Sequence, residues 1–158
     1  TPLRIGLADD QALVRAGLNE GDAAGSNLFD ATTLLLDQLT QTDIWPALYV
    51  RWELGLLSAL GFGLDLEACA ITGGNDGLSH VSPKTGRAVR GSDAEPYVDR
   101  LLALPAFLLA PGAAVQPGDI DAGLKLTGHF LEHRLFAAVH RGVPPERERL
   151  VMRVRSKV

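Results

Sequence analysis

Two histidines four residues apart, in Gly128-His129-Phe130-Leu131-Glu132-His133, fall on one face of a helix, as paired metal ligands must. A zinc hydrolase motif places its glutamate directly after the first histidine, and here Phe130 stands there. A hydrolytic metal at this pair would need a third ligand from elsewhere, with Asp9 or Asp10 as the sources. Otherwise the run is a polar helix edge, with Glu132, His133 and Arg134 facing water or a partner. Asp9 and Asp10 are adjacent carboxylates of the kind that suit a hard, oxygen-seeking cation. They equally suit the first turn of a helix, where the dipole favours negative charge. Gly73-Gly74-Asn75-Asp76-Gly77 has the glycine content of a phosphate cradle but lacks the lysine and following helix, so it reads as a tight turn. Cys69, the only cysteine, lies between two alanines with no histidine at a catalytic spacing, and reads as a packing residue. No residue emerges as catalytic, and the chain is read as a non-enzyme without a cofactor.

The 158 residues are 46% hydrophobic and 22% charged, a globular composition in a chain long enough for one sizeable core. A lone cysteine excludes an internal disulfide or a thiolate-rich zinc site within the chain, and it suits a reducing compartment. Apolar runs are broken by charge or proline, and no signal peptide is seen, so no membrane is expected and the predicted location is cytoplasmic. The net charge of −4 argues against a dedicated nucleic-acid binder. The charge is uneven, however. Asp9, Asp10, Glu20, Asp22, Asp30, Asp37 and Asp43 make the front acidic, while Arg134, Arg141, Arg147, Arg149, Arg153, Arg155 and Lys157 make the end basic.

The elements that must position these residues are mostly helical. A short helix is expected over 8–19, and a second over about 27–40, capped by Ser26 or Asn27, with Phe29, Leu35, Leu36 and Leu39 on its apolar side. A third carries Trp45, Leu48, Tyr49, Trp52, Leu56 and Leu60 on one face, and Val50, Leu54 and Leu57 widen that face until little is left for water. This is the expected central core helix. Arg51 and Glu53 interrupt it and need partners, because an unpaired buried charge is costly. Gly61-Phe62-Gly63 stops the helix. Residues 64–92 then form an irregular insert, with Ser82-Pro83-Lys84-Thr85-Gly86 as a hairpin tip between strands near 78–82 and 87–90. Pro105 divides a short helix or turn from a buried apolar segment. Asp119 caps the last long helix, which carries Ile120, Leu124, Thr127, Leu131 and Leu135 on one face and ends near Gly142. The fold class is therefore mainly α, a helical bundle-like domain with a small irregular hairpin insert. Three regions are expected: an extension over 1–25, the helical domain over 26–145, and a basic tail over 146–158.

Two family resemblances bear on this. Leu3-Arg4-Ile5-Gly6-Leu7-Ala8-Asp9-Asp10 resembles the opening of a response-regulator receiver, but no aspartate lies between 44 and 64 to accept a phosphoryl group. Residues 26–150 resemble the C-terminal helical region of the RecO recombination-mediator family. The likeness rests on Trp52-Glu-Leu-Gly-Leu-Leu57, on Leu60-Gly-Phe-Gly-Leu-Asp-Leu-Glu-Ala-Cys69-Ala-Ile-Thr72-Gly73, on His80-Val-Ser-Pro-Lys-Thr-Gly-Arg-Ala-Val-Arg90, and on Leu104-Pro-Ala-Phe-Leu108.

That resemblance implies a DNA repair protein that works with RecR and with single-stranded DNA-binding protein, whose acidic C-terminal tail it docks, to load RecA on single-stranded DNA. It also implies a degenerate zinc finger. Cys69 stands where the first cysteine of such relatives would be, Thr72 where the second would be, and Arg90 and Asp93 near the third and fourth, so the metal is expected to be absent. The family's N-terminal OB-fold finds no counterpart in residues 1–25, so the chain is read as a fragment or divergent form, or as the protein-docking half alone. Partner-binding candidates are Arg51, Arg134 and Arg141. DNA-binding candidates are Arg147, Arg149, Arg153, Arg155 and Lys157, with weak binding expected. The alternatives are a metal-dependent hydrolase at His129 and His133, or a helical interaction module with a vestigial receiver-like front.

Overall fold

The computed structural model describes residues 24–40, 43–110 and 112–157, with side chains from residue 28 onward. The helix expected over 8–19, and with it Asp9 and Asp10, lies outside the described residues. Helix α1 spans Ala24–Gln38 and α2 spans Trp45–Ala59. A small sheet follows, with β1 at Leu78–Val81, β2 at Ala88–Arg90 and β3 at Leu102–Ala103. Helix α3 spans Asp119–Phe130 and continues through a wider, π-helical stretch over Leu131–Phe136; α4 spans Pro145–Lys157. The fold is mainly α with a small hairpin-based sheet, as the sequence patterning indicates.

Helix α2 is covered on nearly every side. Leu48, Val50 and Leu57 are fully enclosed, and Arg51 and Glu53 are buried among them. Pro46 at its first turn costs no hydrogen bond there. The helix packs against α1 through Ala31 and Leu35, and the Trp52 indole Nε1 donates to Thr32 Oγ1 at 2.8 Å. The expected apolar side of α1 is corrected here. Phe29 and Leu36 are 71% and 59% exposed, because the helix turns its Ala31–Leu35 edge to α2. The helix also begins at Ala24, ahead of the cap expected at Ser26 or Asn27.

Helix α3 crosses α2 closely at Gly123. A Cβ built there would lie 2.8 Å from Val50 Cγ1, so only glycine lets the backbones approach this far. Leu124, Leu126, Phe130 and Leu131 complete the main core with Phe107, which the segment after Pro105 delivers. Asp119 sits inside the first turn of α3 rather than at its cap. Gly118 holds the left-handed cap position at φ 87°, and Asp119 Oδ2 accepts the Gln116 N–H at 2.8 Å. The helix stops before Gly142. His140 takes a left-handed φ of 53°, and the Arg141 and His140 N–H groups close on the Phe136 and Ala137 carbonyls.

The sheet has order β2-β1-β3, all antiparallel. Its first two strands form the hairpin that the Ser82–Gly86 tip implies, and the third is an addition that periodicity over two residues cannot signal. Residues 146–158, expected as a basic tail, lie mostly in helix α4, and Val151 and Val154 are buried in the same core as Leu124 and Phe130. Among the described residues no helix is long and apolar enough to cross a membrane.

Candidate functional site

Glu53 is the most enclosed charge described, at 1% exposure. Arg147, from the first turn of α4, meets it in a two-pronged pair: Nε donates to Glu53 Oε2 at 2.7 Å and Nη2 to Oε1 at 2.9 Å. Thr127 Oγ1 donates to Oε1 at 2.8 Å, and the Tyr49 hydroxyl donates to Oε2 at 3.1 Å. The carboxylate is thus fully served, which is the condition for a buried charge to persist. Burial, followed by the negative charge of Glu53, pushes the Tyr49 phenol well above the usual tyrosine range, with Arg147 pulling partly back. Burial alone would lower the Arg147 guanidinium, but the hydrogen bonds and charge of Glu53 outweigh it and raise it. Arg147 is therefore removed from the DNA-binding candidates: its charge is spent inside the protein.

Arg51 is corrected in the same way. At 5% exposure its Nη2 donates to the Phe107 carbonyl, and its guanidinium lies 5.8 Å from the Phe107 ring centroid. It ties α2 to the segment after Pro105 and offers no cation to an outside partner. Arg134 lies over the Phe130 ring at 4.7 Å, with Nη2 3.4 Å from the Lys84 carbonyl it donates to. Arg141 is exposed just past the end of the helix. Arg155 Nε donates to Asp121 Oδ1 at 2.6 Å.

The remaining cations of α4 come together. Arg149, Arg153 and Lys157, four residues apart, line an open groove together with Leu39, Trp45, Leu150, Ser156 and Glu146, whose carboxylate lies 3.4 Å from Arg149 Nη2. The spacing sets successive cations about 6 Å apart along the helix. Trp45, assigned by periodicity to the core face of α2, is only partly buried and forms an apolar wall of the groove.

His129 and His133 stack at 4.3 Å between ring centroids. Each has one ring nitrogen committed. His129 Nε2 donates to the Pro83 carbonyl at 3.1 Å, and His133 Nδ1 donates to the His129 carbonyl at 2.9 Å. The first of these bonds, with Arg134, seats the hairpin tip on α3. Among the described residues no three or more His, Cys, Asp or Glu side chains gather in a way that could hold a metal.

In the insert, Cys69, Thr72, Arg90 and Asp93 bond to one another. Cys69 Sγ donates to Asp93 Oδ2 at 3.4 Å, Thr72 Oγ1 donates to the same oxygen at 3.1 Å, and the Arg90 N–H donates to Cys69 Sγ at 3.3 Å. The Arg90 side chain turns away to pair with Asp76. Burial by itself would raise the Cys69 thiol. The neighbouring Thr72 hydroxyl and the N–H groups of Arg90, Thr72 and Ile71 around the sulfur outweigh it and hold the thiol below the usual cysteine range. One thiol, one hydroxyl and one carboxylate bonded to each other, with an N–H directed at the sulfur, are not a zinc ligand set.

The family model for the recombination protein O C-terminal region matches residues 12–141. The "DNA repair protein RecO" of Hyphomonas neptunium is 75% identical over 143 residues, which are 90% of this chain and 59% of that protein. Proteins of the same name from Rhodospirillum centenum and Phenylobacterium zucineum are 52% and 49% identical, over 98% and 92% of this chain and 62% and 60% of theirs. The chain thus spans about three fifths of these relatives' length. No solved structure matches it. A match to the family model that takes in α1 to α3 and the whole insert, the same elements that seat Glu53, Phe107 and the Cys69 turn, places the chain in the RecO family.

Proposed function

We propose that the chain is the helical, protein-docking part of a RecO-type DNA repair and recombination mediator, which assists RecA loading on single-stranded DNA together with a RecR-like protein and single-stranded DNA-binding protein. On this reading it is not an enzyme. The groove between α4 and the Leu39–Trp45 edge takes the acidic, apolar-ended tail of single-stranded DNA-binding protein. One observation carries the assignment: three cations at four-residue spacing, Arg149, Arg153 and Lys157, line the groove together with Leu39, Trp45 and Leu150. An acidic peptide satisfies the cations while its apolar end covers the apolar side chains, and neither feature alone is sufficient for both parts of that ligand. The docking cation is thus moved from buried Arg51 to the exposed edge of α4.

Fluorescence anisotropy of a labelled tail peptide tests the reading. The double substitution Arg149→Glu, Arg153→Glu should weaken binding by about 10-fold or more and flatten its salt dependence, since exposed charge pairs are screened within about 10 Å at 0.1 M salt. Trp45→Ala should weaken binding without changing the salt slope. Affinity unchanged by both substitutions rejects this groove. Single-stranded DNA should bind weakly and share the same cations. A peptide that fails to compete with DNA would separate the two sites.

A further inference from the structure

In a zinc ribbon the metal does one mechanical job: it ties two short turns, far apart in sequence, to each other. Here those turns are Cys69–Thr72 and Arg90–Asp93, and the residues that fill them do not make a metal site. We propose that a hydrogen-bonded cluster centred on the Asp93 carboxylate has taken over that job, so that the insert is closed by protein atoms alone.

The ties run both ways between the turns. From the first turn, the Cys69 thiol and the Thr72 hydroxyl both donate to Asp93 Oδ2. From the second, the Arg90 N–H donates to Cys69 Sγ, and the Gly91 N–H donates to the Gly77 carbonyl at 2.9 Å. The Arg90 side chain adds an outer clamp. Its guanidinium lies along the Gly73–Gly77 turn, where Nε donates to the Asp76 carbonyl at 3.2 Å and Nη2 pairs with the Asp76 carboxylate. A larger residue at Gly74 would displace that clamp, because its Cβ would fall on the Arg90 guanidinium. Beneath the cluster, Cys69, Val89 and Ala94 form a small buried core of their own, separate from the main one. Leu78 and Leu101 pack against it, and Val81 and Ala88 anchor the hairpin in the main core, so apolar packing holds the hairpin while the polar ties join the two turns.

The cluster also keeps the outline of the site it replaces. Tetrahedral zinc with sulfur and oxygen ligands sets neighbouring ligand atoms about 3.3–3.8 Å apart. The sulfur and hydroxyl of the first turn stand 3.4 Å and 3.1 Å from Asp93 Oδ2. Three side chains therefore converge on one point, and the native set falls short at position 72, where the hydroxyl of threonine replaces a thiolate.

Two substitutions and one metal probe test this on the whole chain. The protein as purified should hold no stoichiometric zinc, and chelator should leave its melting unchanged. Asp93→Ala should speed hydrogen exchange across residues 69–77 by about 10-fold or more while α2 and α3 keep their protection. Asp93→Asn, which keeps one acceptor oxygen, should fall between it and the native protein, and it serves if the alanine variant fails to fold. Thr72→Cys should bind one cobalt(II) per chain with a thiolate-to-metal absorption band, and adding Asp93→Asn to that variant should abolish or strongly weaken the band. Stoichiometric zinc in the native protein would overturn the proposal. So would unchanged exchange in both Asp93 variants, or a folded Thr72→Cys protein that ignores cobalt.

Discussion

Glu53 and Arg147 stand 94 positions apart in sequence and meet in one two-pronged, buried pair that joins α2 to α4. Breaking it leaves a carboxylate stranded in the core, so Arg147→Ala should cost about 3–5 kcal/mol. A hydrophobic replacement of both partners, Glu53→Leu with Arg147→Met, should recover most of that loss, since the attraction of a buried pair barely exceeds the cost of desolvating it. Urea denaturation of the two variants measures the difference. A single substitution that proves nearly neutral would show that water reaches Glu53.

The same pair changes what a truncation would do. Residues 146–158, set off by Pro144-Pro145, would be separable from the fold if they were only a tail. In the structure their deletion would strip Val151 and Val154 from the core and orphan Glu53. It should yield an unstable protein by circular dichroism, whereas the Arg149→Glu, Arg153→Glu variant should keep its native melting temperature. Only the second is a usable probe of the groove.

Asp121 gives the fold an acid-sensitive seam. The Lys125 hydrogen bond outweighs the opposing effect of burial, and the hydrogen bond and charge of Arg155 add to it, so the carboxyl is held below the usual aspartate range. A folded-state pKa below the unfolded value stabilises above the unfolded pKa, and that stability is lost as pH falls through the folded pKa. The seam between α3 and α4 should thus be intact at neutral pH and weaken below about pH 4. Thermal melts of Asp121→Asn should lose part of this acid dependence. An identical acid limb in both proteins would contradict the assignment.

Gly123 and Val50 set the distance between α3 and α2. A methyl at 123 would press into Val50 Cγ1 at 2.8 Å, so Gly123→Ala should destabilise by about 1–3 kcal/mol despite alanine's better helix propensity. Val50→Ala should relieve the clash, so the double variant should be more stable than the sum of the single losses requires. Purely additive losses in a double-mutant cycle would mean that the helices move apart instead.

The sequence is most legible where periodicity is strong and composition punctuates it. The run from Trp45 to Leu57 announces a core helix, Gly61-Phe62-Gly63 ends it, and Ser82–Gly86 marks a hairpin. Glu53 within that run signals that a cation must reach it, but Arg147 is chosen by tertiary packing across 94 residues, and local spacing cannot see that. Arg147 looks like a free cation for the same reason. Asp93 is visible as a position in a knuckle, but its role as shared acceptor for Cys69 and Thr72 needs coordinates. The groove at Trp45 is hidden because an indole at core spacing reads as core, while its outer edge stays open beside α4.

His140 ends α3 in a conformation that suits a different residue. Its φ of 53° is left-handed, and the Arg141 N–H to Phe136 carbonyl bond at 2.9 Å closes the helix in the manner that ordinarily calls for glycine. A side chain with a Cβ pays roughly 1 kcal/mol of steric strain there, although glycine returns part of it through the greater freedom of the unfolded chain. His140 is exposed and is not among the residues that line the groove. His140→Gly should therefore raise stability by about 0.5–1 kcal/mol and the melting temperature by a few degrees, with peptide affinity unchanged. His140→Ala, which keeps the Cβ, should give no such gain. A glycine variant less stable than the native protein would show that the imidazole itself contributes at the helix end, where the dipole favours a positive charge.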